Sequence, residues 1–320
     1  MKRLSIFIVG IMVAVVAMSR TFDMKQLGAD AKGIKSCTEL INRTIEKAAS
    51  EGGGTIYFPA GTYLTATIHM KSNITLYLES GAVLRFSDKF EDYLPFVTLR
   101  WEGTVMKSLS PLIYAHSADN VTISGRGTLD GNGLKWWLWE FDTRKVIKEN
   151  GGKLPALDKL QQMWVDANKN LEISDYYKPS LERRMFRPPF IQFYECTNIL
   201  IENVKIINSP FWTINPAFCD NVTIHGVTIN NPSSNPKGPN TDGINPSSCR
   251  NVRISDCFIS VGDDCITIKS GRDADGRKYG KACENITITN CIMLSGHGGV
   301  VIGSEMSGGV KNIQLCIRRN

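Results

Sequence analysis

Three short strings in this sequence hold the residues best suited to moving protons: Asn240-Thr241-Asp242-Gly243, Gly262-Asp263-Asp264-Cys265 and Gly296-His297-Gly298. Each is followed by an apolar residue, Ile244, Ile266 or Val300. Aligning those residues puts Asp242, Asp264 and Gly298 in one column, with Asp263 and His297 in the column beside it. If the strings are neighbouring rungs of stacked strands, about 4.8 Å apart, three carboxylates and an imidazole meet in a patch a few residues wide. Carboxylates that close do not ionise independently, so at least one keeps its proton to a higher pH than a free Asp. That suits general acid and base work. Two plainer uses compete. Asp residues cap backbone groups in turns, and clustered oxygens can hold Ca²⁺, although His297 beside them argues against a hard cation.

The elements that must bring these strings together follow from a repeat. The frame Asn, apolar, any, apolar recurs from Asn73, Asn120, Asn198, Asn221, Asn251, Asn285 and Asn312. Each frame alternates apolar and polar residues, as a strand with one buried face does. Cys196, Cys219, Cys249 and Cys283 each stand two residues before the Asn, and Cys257 and Cys291 stand six after it, a slot filled by Val204 and Val227 in other repeats. A slot shared by Cys and Val is a buried apolar slot, so most thiols are expected to be packing residues. Disulfides between neighbouring coils stay open as an alternative. Four of the five Asn-X-Thr sequons coincide with the frame Asn. A turn residue stacking in a ladder accounts for them more simply than glycosylation does.

These features predict an all-β solenoid, each coil hydrogen-bonded to the next. Its open N-terminal end needs a cover. Ser36-Cys37-Thr38-Glu39 reads as a capping box opening a helix with Leu40, Ile41, Ile45 and Ala48 on one face and Gly52-Gly53-Gly54 at its end. From about 133 to 189 the frame vanishes, and Trp136, Trp137, Trp139, Trp164, Tyr176 and Tyr177 mark an insertion on one side of the solenoid. Packing onto the body is the expected use of most of these rings, with stacking on sugars the other. Residues 1–20 have the layout of a secretory signal peptide, with Lys2 and Arg3 before an apolar run. Residues 21–320 then form one domain, and the protein is expected to be secreted or periplasmic. The net charge of +6 permits an anionic partner without demonstrating one. No dense basic stripe points to nucleic acid, and no later segment is apolar enough to serve as a membrane span.

On these residues the sequence resembles the polygalacturonase family of glycoside hydrolases. The likeness covers all three strings, Ile268-Lys269-Ser270-Gly271, Gly303-Ser304-Glu305 to Gly308-Gly309-Val310, the N-terminal Gly28-Ala29-Asp30, and Gly53-Gly54-Thr55-Ile56-Tyr57-Phe58-Pro59-Ala60-Gly61. The resemblance implies a single-stranded right-handed parallel β-helix that hydrolyses α-1,4-galacturonosidic bonds with inversion and without a metal or other cofactor. It implies that Asp263 is the general acid, that Asp242 and Asp264 activate water, and that His297 supports the acid. Asn240, Lys269, Arg187 and Glu305 are expected on the substrate side of the site. The expected partner is an acidic polysaccharide or oligosaccharide, bound by a monomer. The insertion suggests exo-action by closing one end of the cleft.

One departure stands out. The family's Arg-Ile-Lys string is missing, and Ile317-Arg318-Arg319 comes too early to replace it. The final coils are therefore expected to be absent, with weak activity and an adhesive C-terminal edge. A lyase on the same solenoid and a non-catalytic polysaccharide-binding β-helix are the alternative functions.

Overall fold

The computed structural model describes residues 20–152, 156–171, 187–232 and 235–316. The expected leader lies outside the described residues except for Arg20, and so do Tyr176, Tyr177, Arg318 and Arg319. Strands wind into successive coils that stack into one nine-stranded parallel sheet and one eight-stranded parallel sheet. The third side is a discontinuous sheet. It runs through Ile68–His69, Ile113–His116 and Ile191–Tyr194, continues by single bridges through Ile214 and Ile244, and ends in Ile266–Ile268 and Val300–Ile302. The winding is right-handed, the hand that parallel crossovers almost always take.

Register follows the apolar alternation. Val222, Val252, Ile286 and Ile313 are paired in one column, and Ile224, Ile254, Ile288 and Leu315 in the next but one. Slipping one strand by a residue would turn its apolar set out to water, so burial fixes the pairing. Cys196, Cys219, Cys249, Cys257 and Cys283 are free thiols buried with Val204 and Val227, as their shared slots require. Cys291 is half-buried and Cys316 exposed.

All seven frame asparagines are left-handed, with φ between 54° and 62°. Asn tolerates that region better than other residues with a Cβ. Their side chains also form ladders: Asn120 Nδ2 donates to Asn73 Oδ1 at 3.0 Å, Asn221 to Asn198 at 2.6 Å, and Asn312 to Asn285 at 3.0 Å. Asn221→Ala is expected to cost about 1–2 kcal/mol from backbone strain alone. Asn221→Gly removes the strain but not the lost amide bond, so urea melts of the two variants should rank Gly above Ala and below the parent.

Helix α1 (Thr38–Ser50) covers the first coil with Ile41, Ile45 and Ala48 buried and Leu40 partly so. The expected capping box does not form. The helix begins at Thr38 with Cys37 at the cap position and no side-chain cap. Ser36 instead ends the strand Lys32–Ser36 and meets the Thr38 hydroxyl at 3.0 Å. That hydroxyl accepts the Ala66 N–H at 2.7 Å, so a tie to the next coil displaces the local motif.

The insertion supplies α2 (Leu134–Glu149) and α3 (Lys159–Ala167), whose Trp136, Trp137 and Trp164 are buried. Trp136 packs on Phe90 and Tyr93, and Trp137 donates its indole N–H to Ser209 O at 2.9 Å. These rings serve packing. A hairpin of Val97–Trp101 and Thr104–Ser108 lies against the third sheet, pinned by Arg100 to the hydroxyls of Ser247 and Ser248.

Candidate active site

Ile214 bridges Ile244, Ile244 bridges Ile266, and Ile266 pairs with Val300. The backbone bonds from Gly243 N–H to Asp264 O and from Cys265 N–H to Gly298 O, at 2.9 and 2.8 Å, carry the same register back into the three strings. They are therefore successive rungs, with Asp242, Asp264 and Gly298 in one column as the apolar alignment requires. Close stacking explains the glycines. A Cβ at Gly262 would lie 2.1 Å from Gly238 O, and one at Gly243 would lie 2.4 Å from Cys265 O. Trp212, two residues before Ile214, heads the Asp242 column.

Polar atoms of Asp263, Asp264 and His297 all lie within 4.8 Å of one another. Asp263 Oδ1 accepts the Asp264 N–H at 3.0 Å and faces His297 Nδ1 at 3.1 Å. Its Oδ2 lies 3.4 Å from Asn240 Nδ2. The other ring nitrogen of His297, Nε2, meets Lys237 Nζ at 2.5 Å. A donor set of two carboxylates and an imidazole could also hold a cation, but the Lys237 ammonium already sits against it and opposes further positive charge.

Asp242 is only 3% exposed. Asn245 Nδ2 donates to its Oδ2 at 3.0 Å. Asn245 in turn belongs to a buried polar row: Gln192 Nε2 donates to Asn215 Oδ1 at 2.5 Å, and Asn215 Nδ2 to Asn245 O at 2.7 Å. Burial pushes the Asp242 carboxyl up to about 8, with Asp263 and Asp264 adding to the shift and Lys269 opposing it. Burial also raises Asp264, assisted by Asp263 and opposed by Lys269 and His297. Both carboxyls are thus reluctant to ionise, chiefly because they are buried and lie near the charge of Asp263.

The cation balancing that pair is Lys269. Its side chain is 5% exposed and donates to Glu305 Oε2 at 2.6 Å and Gly303 O at 3.1 Å, with Nζ 4.7 Å from the Trp212 ring centre. Glu305 also binds Arg272. Burial works to raise the Glu305 carboxyl, yet Lys269 and Arg272 outweigh it and hold it below its ordinary value. Arg187 is fully buried, donating to Pro210 O at 3.1 Å, Pro239 O at 2.5 Å and Asn240 Oδ1 at 2.7 Å, with Glu140 of α2 at 3.7 Å from its Nε.

The structure therefore gathers Asp263, Asp264 and His297 at a partly open surface, with Asp242 buried beneath it in the column of Asp264. Arg187, Lys269 and Glu305 are buried, Lys269 and Glu305 paired with each other and Arg187 held by two carbonyls and Asn240. Asn240 stays half-buried at the surface, its amide oriented by Arg187. Sequence reasoning missed Lys237, Trp212 and the Gln192–Asn215–Asn245 row. The row did leave a signal, an amide directly after Ile191, Ile214 and Ile244. Lys237 left none, since it stands in a loop outside the repeat.

Comparison with known proteins agrees with this fold. Residues 177–316 match glycosyl hydrolases family 28, and residues 21–98 match the rhamnogalacturonase A/epimerase, pectate lyase-like family. The chain is 33% identical over 276 residues to a probable polygalacturonase of Vitis vinifera, covering 84% of this chain and 48% of that protein. It is 25% identical over 311 residues to an exo-poly-alpha-D-galacturonosidase of Dickeya chrysanthemi, covering 93% of this chain and 50% of the relative. The chain thus spans about half the length of these relatives. Among solved structures, a hyperthermoactive exopolygalacturonase from Thermotoga maritima superposes with a TM-score of 0.78 at 41% identity, covering 92% of this chain and 65% of that one. With its stacked coils, its three strings in register and these likenesses, residues 177–316 of the chain carry a glycosyl hydrolases family 28 domain.

Proposed function

We propose that this chain hydrolyses α-1,4-galacturonosidic bonds of pectin or polygalacturonan by an inverting acid and base mechanism. The observation that carries the reading is the placement of Asp263 beside Asp264, one rung from Asp242, with His297 on its Oδ1. Asp263 gives its proton to the departing glycosidic oxygen. Asp242 and Asp264 take a proton from water, which attacks the anomeric carbon from the opposite face. Asn240 beside Asp263 stays partly open to solvent, and its amide is a neutral donor suited to an oxygen of the substrate. Exo-action is the favoured mode, supported by the likeness to the Thermotoga maritima exopolygalacturonase. The same reading has the protein exported through its N-terminal leader and acting as a monomer outside the cytoplasm.

Product analysis on polygalacturonate tests this. Release of reducing ends with inverted configuration and no ultraviolet absorbance supports it. An unsaturated product means a lyase, and binding without turnover means a polysaccharide-binding module. The pH profile adds a sharper check. The water-activating pair must carry negative charge, and both its carboxyls are shifted upward from 3.8. Activity should therefore be lost as pH falls, along an acid limb lying above the ordinary Asp range. Lys269→Met removes the balancing cation and should move that limb further up.

A further inference from the structure

The contact between Lys237 and His297 restricts where protons can sit. A Lys ammonium has three N–H donors and no acceptor. At 2.5 Å from Lys237 Nζ, His297 Nε2 must offer its lone pair. A neutral imidazole with a bare Nε2 carries its hydrogen on Nδ1. Nδ1 faces Asp263 Oδ1 at 3.1 Å, so it donates there. Asp263 Oδ1 then accepts two hydrogen bonds, from Nδ1–H and from the Asp264 N–H at 3.0 Å. A proton on Oδ1 would compete with both, whereas among the described residues Oδ2 has only the long 3.4 Å contact to Asn240 Nδ2. The Asn240 amide cannot turn to offer its oxygen instead, because that oxygen is held by Arg187 at 2.7 Å.

Building on the acid role given to Asp263 above, we propose that Lys237 is a positioning residue: it fixes His297 as the Nδ1–H tautomer and thereby leaves Oδ2 of Asp263 as the oxygen that carries the transferable proton. Lys237 touches neither Asp263 nor the bond to be cleaved in this scheme and acts through the imidazole. Its side chain comes from the loop before Asn240, so one segment orients the acid from both sides: Asn240 at Oδ2, and Lys237 by way of His297 at Oδ1.

The test compares the full chain with Lys237→Met and Lys237→Arg by ¹⁵N resonances of the imidazoles, at a pH where free histidine is neutral. The chain has four histidines, and the His297 signals are assigned by their loss in His297→Gln. The parent should show a pyridine-type Nε2 and a pyrrole-type Nδ1. Lys237→Met should move the pair toward the opposite tautomer, and Lys237→Arg should restore it, since a guanidinium N–H also donates. On polygalacturonate, kcat should fall about tenfold in Lys237→Met, the size of one lost hydrogen bond, with KM little changed. A protonated Nε2 in the parent, or the same tautomer in Lys237→Met, overturns the proposal. So does a raised KM with unchanged kcat, which makes Lys237 a substrate contact. The tautomer readout needs no turnover, so failure of the hydrolase reading, seen as full activity in an Asp263 variant, is distinguishable from failure of this one.

Discussion

Asp263→Asn is expected to lower kcat on polygalacturonate by about 10²–10⁴-fold, the usual worth of a positioned general acid, while affinity for oligogalacturonide stays within a few-fold. The substitution keeps the shape of the side chain. Its amide oxygen can still accept the Asp264 N–H and the His297 Nδ1–H that now meet Oδ1. What it loses is the capacity to release a proton to the leaving oxygen. The local cost is small but real. The new amide nitrogen takes the place of Oδ2 and faces Asn240 Nδ2, at 3.4 Å in the parent, so two donors oppose each other. Because the Asn240 oxygen is committed to Arg187, neither amide can relieve this by turning. An effect confined to kcat, measured beside retained binding by calorimetry, places the loss in the transition state. Undiminished turnover in this variant would remove Asp263 from the chemistry.

The register of the site was legible in the sequence because the same physics that builds the solenoid also writes the strings. Each rung must bury one apolar residue after its polar ones. Ile244, Ile266 and Val300 therefore act as fixed marks from which Asp242, Asp264 and Gly298 can be counted. The frame asparagines were legible for a related reason, since a left-handed turn repeated every coil selects the residue that tolerates it. Residues off the frame were not. Lys237 lies in a loop of irregular length, where no period fixes its position. The hairpin of residues 97–108 also falls between repeats, and its anchoring by Arg100 joins positions 147 and 148 residues apart. The Ser36 capping box was a sound local pattern that lost to a tertiary one, because the Thr38 hydroxyl serves Ala66 of the next coil. Arg187, Lys269 and Glu305 were legible as charges near the site but not as buried ones. Charged residues near a polar site suggest contact with substrate, yet sequence cannot tell a charge facing the cleft from one bound behind it.

Arg187→Met is expected to have the largest effect on stability, about 3–5 kcal/mol, the cost of removing one partner from a buried ion pair. Burial pulls the Arg187 guanidinium down to about 10, with Glu140 and Glu102 pulling the other way, so the group stays charged in neutral solution. It joins three segments: α2 through Glu140, the carbonyls of Pro210 and Pro239, and the Asn240 amide. Methionine fills much of the volume but leaves those carbonyls without their donor and, among the described residues, Glu140 buried with only Arg144 as its cation. Arg187→Lys keeps the charge but not the planar fork and should fall between. If the cost is chiefly that of the stranded carboxylate, the double variant Glu140→Leu, Arg187→Met should be more stable than Arg187→Met alone. Activity separates the two tasks of this arginine. The double variant regains stability while its Asn240 amide remains unheld, so its kcat should stay low under conditions where it is fully folded. Coincident urea melts for Arg187→Met and the parent would show that the insertion is not coupled to the acid through this residue.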